Sequence, residues 1–224
     1  MTTPSQSPLR IAFLGMSGSG KTFWAFKLSA AGYPTICCDD RIEQRLRPHL
    51  PRVGRHGIEG VAAWMGWPDS PQYAEREALY LREEIAVLSD ALAHLEKDPQ
   101  SSLILDATGS VIYAGDALLH RLREQLKIVH LAAAPEDEQL LVERYLRNPK
   151  PVLWRGAFHP LSGEASQDTV KRCYPALIAE RKGRYKALAH CTIPIRRLRD
   201  TALDAAGFLA LIEQATAREL RCST

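Results

Sequence analysis

The chain has 224 residues, 46% of them hydrophobic and 25% charged, which is enough for one α/β domain with a substantial core. A formal net charge of +3 suits an anionic small molecule and is too diffuse to indicate nucleic acid. Five cysteines without a CxxC pair (Cys37, Cys38, Cys173, Cys191 and Cys222) argue against a disulfide framework or a zinc site and for reduced thiols in a cytoplasm. The opening "MTTPSQSPLR" lacks the apolar centre of a signal peptide and reads as a short frayed tail. No apolar run approaches membrane-spanning length, so a cytoplasmic protein is expected.

In chain order, "LRIAFLG" (9–15) predicts a buried strand, followed by a helix from Gly20 to about Ala31 that Gly32 stops. "YPTICC" (33–38) predicts a second strand, and "RIEQRLR" a helix ending before Pro48. Residues 48–72 are rich in Pro and Gly and read as an insertion with one short helix. From Tyr73 to Lys97, Leu81, Ile85, Leu88, Leu92 and Leu95 form a helical stripe. "SLILDATG" (102–109) predicts a strand with a turn at its end. A helix near 115–126, the strand "KIVHLAA" (127–133) and a helix from Pro135 to about Arg147 follow. Residues 148–167 have the chemistry of a mobile lid. A helix near 168–189, the strand "CTIPI" (191–195) and a helix over about 200–219 complete the chain. Strands alternating with helices imply a five-stranded parallel sheet covered on both faces, with ligands at the carboxyl ends of the strands. The chain reads as a single domain over 1–224 with no internal repeat.

Gly15-x-x-x-x-Gly20-Lys21-Thr22 matches the P-loop pattern between a strand and a helix. Such a loop curves its backbone N–H groups around phosphate oxygens, so Gly15, Ser17, Gly18, Ser19 and Gly20 are candidate nucleotide-binding positions. Lys21 would bridge the outer phosphates, and the Thr22 hydroxyl would hold Mg²⁺. Asp39, Asp40 and Asp106 end strands at the same sheet edge. Asp106, after Leu103-Ile104-Leu105, is placed to organise the metal, with Asp40 as a second candidate. One of Asp39 and Asp40 is expected to cap the following helix while the other faces the site. Glu77 and Glu84, at the border of the long helix's stripe, read as solvated positions or acceptor contacts.

With these residues in place, the chain resembles shikimate kinase, a P-loop kinase of the nucleoside-monophosphate-kinase-like fold. "CDDRIEQRL" (38–46) is similar to that family's D-x-D-x-x-I-E segment and puts Asp39 at the aspartate that meets the acceptor hydroxyl. "LILDATGS" (103–110) stands where the family has T-G-G-G, with Gly109 as the retained glycine. "KIVHLAAAPEDEQLLVERY" (127–145) resembles the strand and helix ending in Leu-x-x-Arg, which would set Arg144 beside adenine. "NPKPVLW" (148–154) looks like the lid's R-P-L-L, with Lys150 in the arginine's place. "ALIAERKGRYKALAH" (176–190) puts Arg181 on the substrate-binding arginine. The resemblance implies a three-layer P-loop sandwich with strand order 2-3-1-4-5.

The departures fall on the acceptor half. Cys37 replaces the first aspartate. Ser110 and Val111 replace two glycines and are expected to crowd a ring. The F-R-x-x-E helix aligns with "YLREE" (80–84) or "YAERE" (73–77), placing Leu81 or Ala74 where the family has arginine. The expected activity is therefore ATP- and Mg²⁺-dependent transfer of a phosphoryl group to a hydroxyl of a small, anionic metabolite other than shikimate. Asp39 would act as base and Lys150 and Arg181 as cations, with Arg147 and Arg155 as further lid candidates and Trp154 as lid packing. Two rival readings remain open: a nucleotide or polynucleotide kinase using Arg52, Arg55, Trp64 and Trp67, and an ATP-binding module without turnover. The seven histidines show no metal-ligand spacing.

Overall fold

The computed structural model describes residues 7–222. The tail expected at the amino terminus lies largely outside them, as do the side chain of Cys222 and the last two residues. Cys37, Cys38, Cys173 and Cys191 are free thiols.

Strand β1 (Arg10–Leu14) is central, and the sheet runs β2-β3-β1-β4-β5 with every pairing parallel. The other strands are β2 (Thr35–Cys37), β3 (Leu103–Asp106), β4 (Lys127–Ala132) and β5 (Cys191–Pro194). The helices are α1 (Lys21–Ala30), α2 (Cys38–Leu46), α3 (Gly57–Met65), α4 (Tyr73–Lys97), α5 (Asp116–Gln125), α6 (Pro135–Arg147), α7 (Ser166–Leu188) and α8 (Ala205–Cys222). β2 is shorter than its apolar run because Cys38 already starts α2 and Pro34 has no N–H to give; its carbonyl still accepts from Ile104 at 2.8 Å.

The period of two along each strand divides the core. Ile11, Phe13, Ile104, Val129 and Leu131 face α1 and α8, where Trp24 stacks on Phe208 with centroids 4.1 Å apart. Ala12, Leu14, Leu103, Leu105 and Ile128 face the larger helical layer. The buried stripe of α4 is Tyr80, Glu84, Val87, Leu88, Ala91, Leu92 and Leu95. Leu81 and Ile85, expected on it, are only half-buried at its flank, while Leu88, Leu92 and Leu95 stay buried, so the buried face is turned by a fraction of a residue toward the row of Tyr80, Glu84, Val87 and Ala91. A carboxylate thus sits in the middle of a buried face.

Among the described residues, no helix is long and apolar enough to cross a membrane. Residues 148–165 form no regular element apart from turns.

Candidate active site

Because β1 ends at Leu14 and α1 begins at Lys21, six residues must turn the chain, the Ser19 N–H donating to the Met16 carbonyl at 3.1 Å within the turn. Gly15, Gly18 and Gly20 adopt φ of +146°, +82° and +95°, values that side chains resist. A Cβ on Gly15 would stand 2.7 Å from both the Leu131 carbonyl and the Ser19 hydroxyl. Lys21 is buried and curls back, its Nζ donating to the Gly15 carbonyl at 2.9 Å and the Met16 carbonyl at 3.2 Å. The Ser19 Oγ is buried inside the loop without a partner, and Thr22 is exposed at the start of α1. Gly15→Ala should cost about 1–3 kcal/mol through backbone strain and close contact. Chemical unfolding checks this, and wild-type stability would contradict the described loop.

Both aspartates after β2 lie in the first turn of α2, at its second and third residues. Neither caps it: the cap position is Cys37, whose extended backbone carries the strand straight into the helix. Carboxylates are favoured there by the helix dipole. Asp39 is half-buried and its Oδ1 accepts the Tyr80 hydroxyl at 3.2 Å. Burial raises its pKa, with Lys21 and Tyr80 pulling the other way. Asp40 is exposed. Asp106, at the end of β3, is buried, and burial raises its pKa against the opposing influence of Lys21, the Thr22 hydroxyl and the Cys37 thiol. Burial pushes the Cys37 thiol up to about 12, so this position contributes a neutral group.

Glu84 is neither solvated nor exposed to ligand. It is 0% exposed, accepting the Ser110 hydroxyl at 2.7 Å and, closer still, the Thr108 hydroxyl. The Ser110 N–H in turn donates to the Thr108 hydroxyl at 3.1 Å. The crowding expected from Ser110 and Val111 is absent for this reason. The serine hydroxyl is bound to Glu84, the valine is fully buried in the core, and only Thr108 and Gly109 of this turn line the cavity below. Glu77 accepts the Tyr73 hydroxyl at 3.1 Å and the Arg155 N–H at 3.1 Å, tying α4 to the 148–165 segment.

Burial raises the Glu84 pKa from 4.5 to about 7, the two hydroxyls and Arg181 opposing and Asp39 adding to it. A carboxyl protonated more readily when folded loses stability as pH rises from 4.5 through about 7. Glu84→Gln removes that dependence. Whatever its constant offset, the variant should gain about 3 kcal/mol on wild type between pH 4.5 and 8. Unfolding curves measured across that range check this, and parallel pH profiles would contradict it.

Arg181, on α7, is 2% exposed. Its guanidinium donates to the Leu153 carbonyl at 2.6 Å and the Gly109 carbonyl at 3.3 Å, while its Nε has no partner. The Tyr185 hydroxyl donates to the same Gly109 carbonyl, and Tyr113 packs 5.4 Å from the guanidinium. His130, whose ring packs against that of Tyr185 with centroids 5.4 Å apart, is held neutral, burial pushing its pKa down to about 4.

A cavity of about 430 Å³ gathers these pieces. The P-loop residues Met16–Gly18 and Gly20–Thr22 line it together with Cys37, Asp39, Asp40, Gly109, Lys150 and Arg181. Asp106 lies behind this lining. Lys150 also stands 3.7 Å from Glu59. Arg144 reaches the Gly18 carbonyl at 3.4 Å, on the outer side of the P-loop. Arg147 is exposed and Arg155 belongs to a different cavity beside Tyr113, so neither lid candidate lines this one. Trp154 is buried against Tyr145, Phe158 and Tyr174. Tyr80, Thr108 and Tyr185 escaped the sequence reading, although each lies inside a segment quoted there (80–84, 103–110 and 176–190), and Ser110 was read only as an obstruction.

No protein-family model matches the chain, and no curated protein does. Solved structures do. A shikimate kinase from Acinetobacter baumannii, in complex with shikimate, is 21% identical, with 92% of this chain and 90% of that one covered at a TM-score of 0.54. A shikimate kinase from Bacteroides thetaiotaomicron is 18% identical, with 94% and 95% covered and a TM-score of 0.54. The chain shares the P-loop kinase fold of these proteins, with the strand order 2-3-1-4-5.

Proposed function

We propose that this protein is an ATP-dependent kinase that transfers the γ-phosphoryl group to a hydroxyl of a small anionic metabolite other than shikimate. The observation that carries the reading is the single cavity in which the P-loop, Asp39, Lys150 and Arg181 meet. The residues fit a triphosphate. Gly18 and Gly20, at φ of +82° and +95°, line the cavity together with the buried Lys21 at the start of α1, an arrangement suited to an anion cradle. Lys21, now held by loop carbonyls, is positioned to exchange them for phosphate oxygens. The fold's similarity to solved shikimate kinases supports the same class.

Thr22 and Asp106 offer an oxygen-only donor set suited to Mg²⁺. Among the described residues no group of three or more His, Cys, Asp or Glu could hold a metal alone, so phosphate oxygens and water would complete the shell. When bound, the cation neutralises charge on the phosphates. Asp39 orients the acceptor hydroxyl and takes its proton. The hydroxyl oxygen bonds to the γ-phosphorus as the bond to the bridging oxygen breaks, and ADP leaves. Lys21 and Lys150 offset the charge spreading over the moving group, while Arg181 holds an anionic group of the acceptor.

Two differences argue against shikimate itself: Leu81 or Ala74 in place of arginine, and the added wall from residues 48–72. ADP release across a panel of hydroxylated carboxylates is the test. One acceptor should raise ADP release well above the acceptor-free rate, and no stimulation by any of them would favour an ATP-binding module without turnover.

A further inference from the structure

Beside the phosphate cavity lies a second one, of about 230 Å³, bounded on one side by the insertion. The two share Lys150, Pro151 and Val152, so one short strip of chain is a wall of both. Opposite it stands α3. A Cβ on Gly60 would come 2.4 Å from the Arg55 carbonyl, so the loop before α3 can press on the helix only because residue 60 is glycine. That close approach fixes the Arg55 backbone at the cavity edge. Trp67 follows the turn at Gly66, φ +74°, and meets the Tyr145 ring edge-on with centroids 6.2 Å apart.

Among the described residues no carboxylate lines this cavity, and its charged groups are Arg55 and Lys150. Glu59, just outside, accepts the Asn148 amide at 2.8 Å and faces Lys150; both cations help to hold its pKa down. Two cations against one carboxylate leave a positive balance. The volume is below the roughly 300–1,000 Å³ of drug-sized sites, which suits one arm of a ligand.

We propose that this cavity takes the distal arm of the acceptor: a flat apolar group, such as an aryl ring, carrying a negative charge. The ring lies against Trp67 and Tyr145 and the anion near Arg55 and Lys150, while the rest of the molecule passes the Lys150–Val152 strip toward Asp39. That this arm belongs to a phosphate acceptor rests on the kinase reading above; the preference for an aryl anion rests on the lining alone.

Ligand-detected NMR titration of the full chain with 3-phenylpropionate, and with 3-phenylpropanol as its uncharged counterpart, tests it. The carboxylate should bind saturably and the alcohol more weakly. Ala63→Trp, an exposed α3 position on the cavity wall, should weaken carboxylate binding about tenfold. Arg55→Glu, also exposed, should weaken it about threefold or more. Lys21→Ala should leave it intact. Absence of saturable binding, binding untouched by both wall variants, or binding abolished by Lys21→Ala would overturn the assignment. ATP-dependent turnover, read separately, bears on the kinase reading alone.

Discussion

Replacing Lys21 with alanine should lower ATP affinity about 10–100-fold and turnover at least about 10²–10³-fold, with the fold preserved. The side chain donates to two carbonyls of its own loop, at 2.9 and 3.2 Å, in a buried position. In the proposed site a charge-assisted contact to phosphate oxygens would replace these when nucleotide enters, and alanine supplies neither set. The effect extends to the acids. Lys21 opposes the burial that raises both Asp39 and Asp106, so its loss should raise both pKa values further. Nucleotide titration and steady-state ADP release check the two losses, with circular dichroism to confirm folding. Unchanged affinity and turnover would remove the phosphate role of this loop.

Asp39→Asn should separate binding from chemistry. The substitution keeps the shape and an oxygen for the Tyr80 hydroxyl at 3.2 Å, but it removes the carboxylate proposed to receive the acceptor's proton. Turnover on the best acceptor should fall about 10²–10⁴-fold while ATP affinity stays within a few-fold of wild type. Because burial raises the Asp39 pKa, the acid limb of the wild-type pH–rate profile should lie above the ordinary aspartate value of 3.8 and vanish in the variant. Full turnover by the variant would assign the proton transfer elsewhere, Asp40 being the other carboxylate that lines the cavity.

The sheet was legible because it rests on signals local to the sequence. Apolar runs bounded by Gly and Pro located the five strands within a few residues, and a glycine-rich turn between strand and helix located the P-loop. The acceptor half was harder to read, and Glu84 shows why. Apolar periodicity places a helix's buried face only to within a residue, and a turn of less than that carries Glu84 from the border of the stripe on α4 to its centre. What stabilises it there, the hydroxyls of Thr108 and Ser110, lies more than twenty residues away. The serine that looked like an obstruction is one of the two groups satisfying the buried carboxylate. The Asp39-Asp40 cap failed for a local reason, since the strand leads into α2 without a turn. The segment 148–165 has no periodicity to read, and its position depends on distant partners such as Tyr73, whose hydroxyl bonds the Val152 carbonyl at 2.6 Å.

The P-loop reading is tested most directly by calorimetric titration of the protein with ATP in the presence of Mg²⁺, wild type beside Lys21→Ala. One ATP should bind per chain to the wild type, with affinity at least about tenfold weaker in the variant. No binding by the wild type, or equal binding by both, would contradict the triphosphate site on which every other assignment depends.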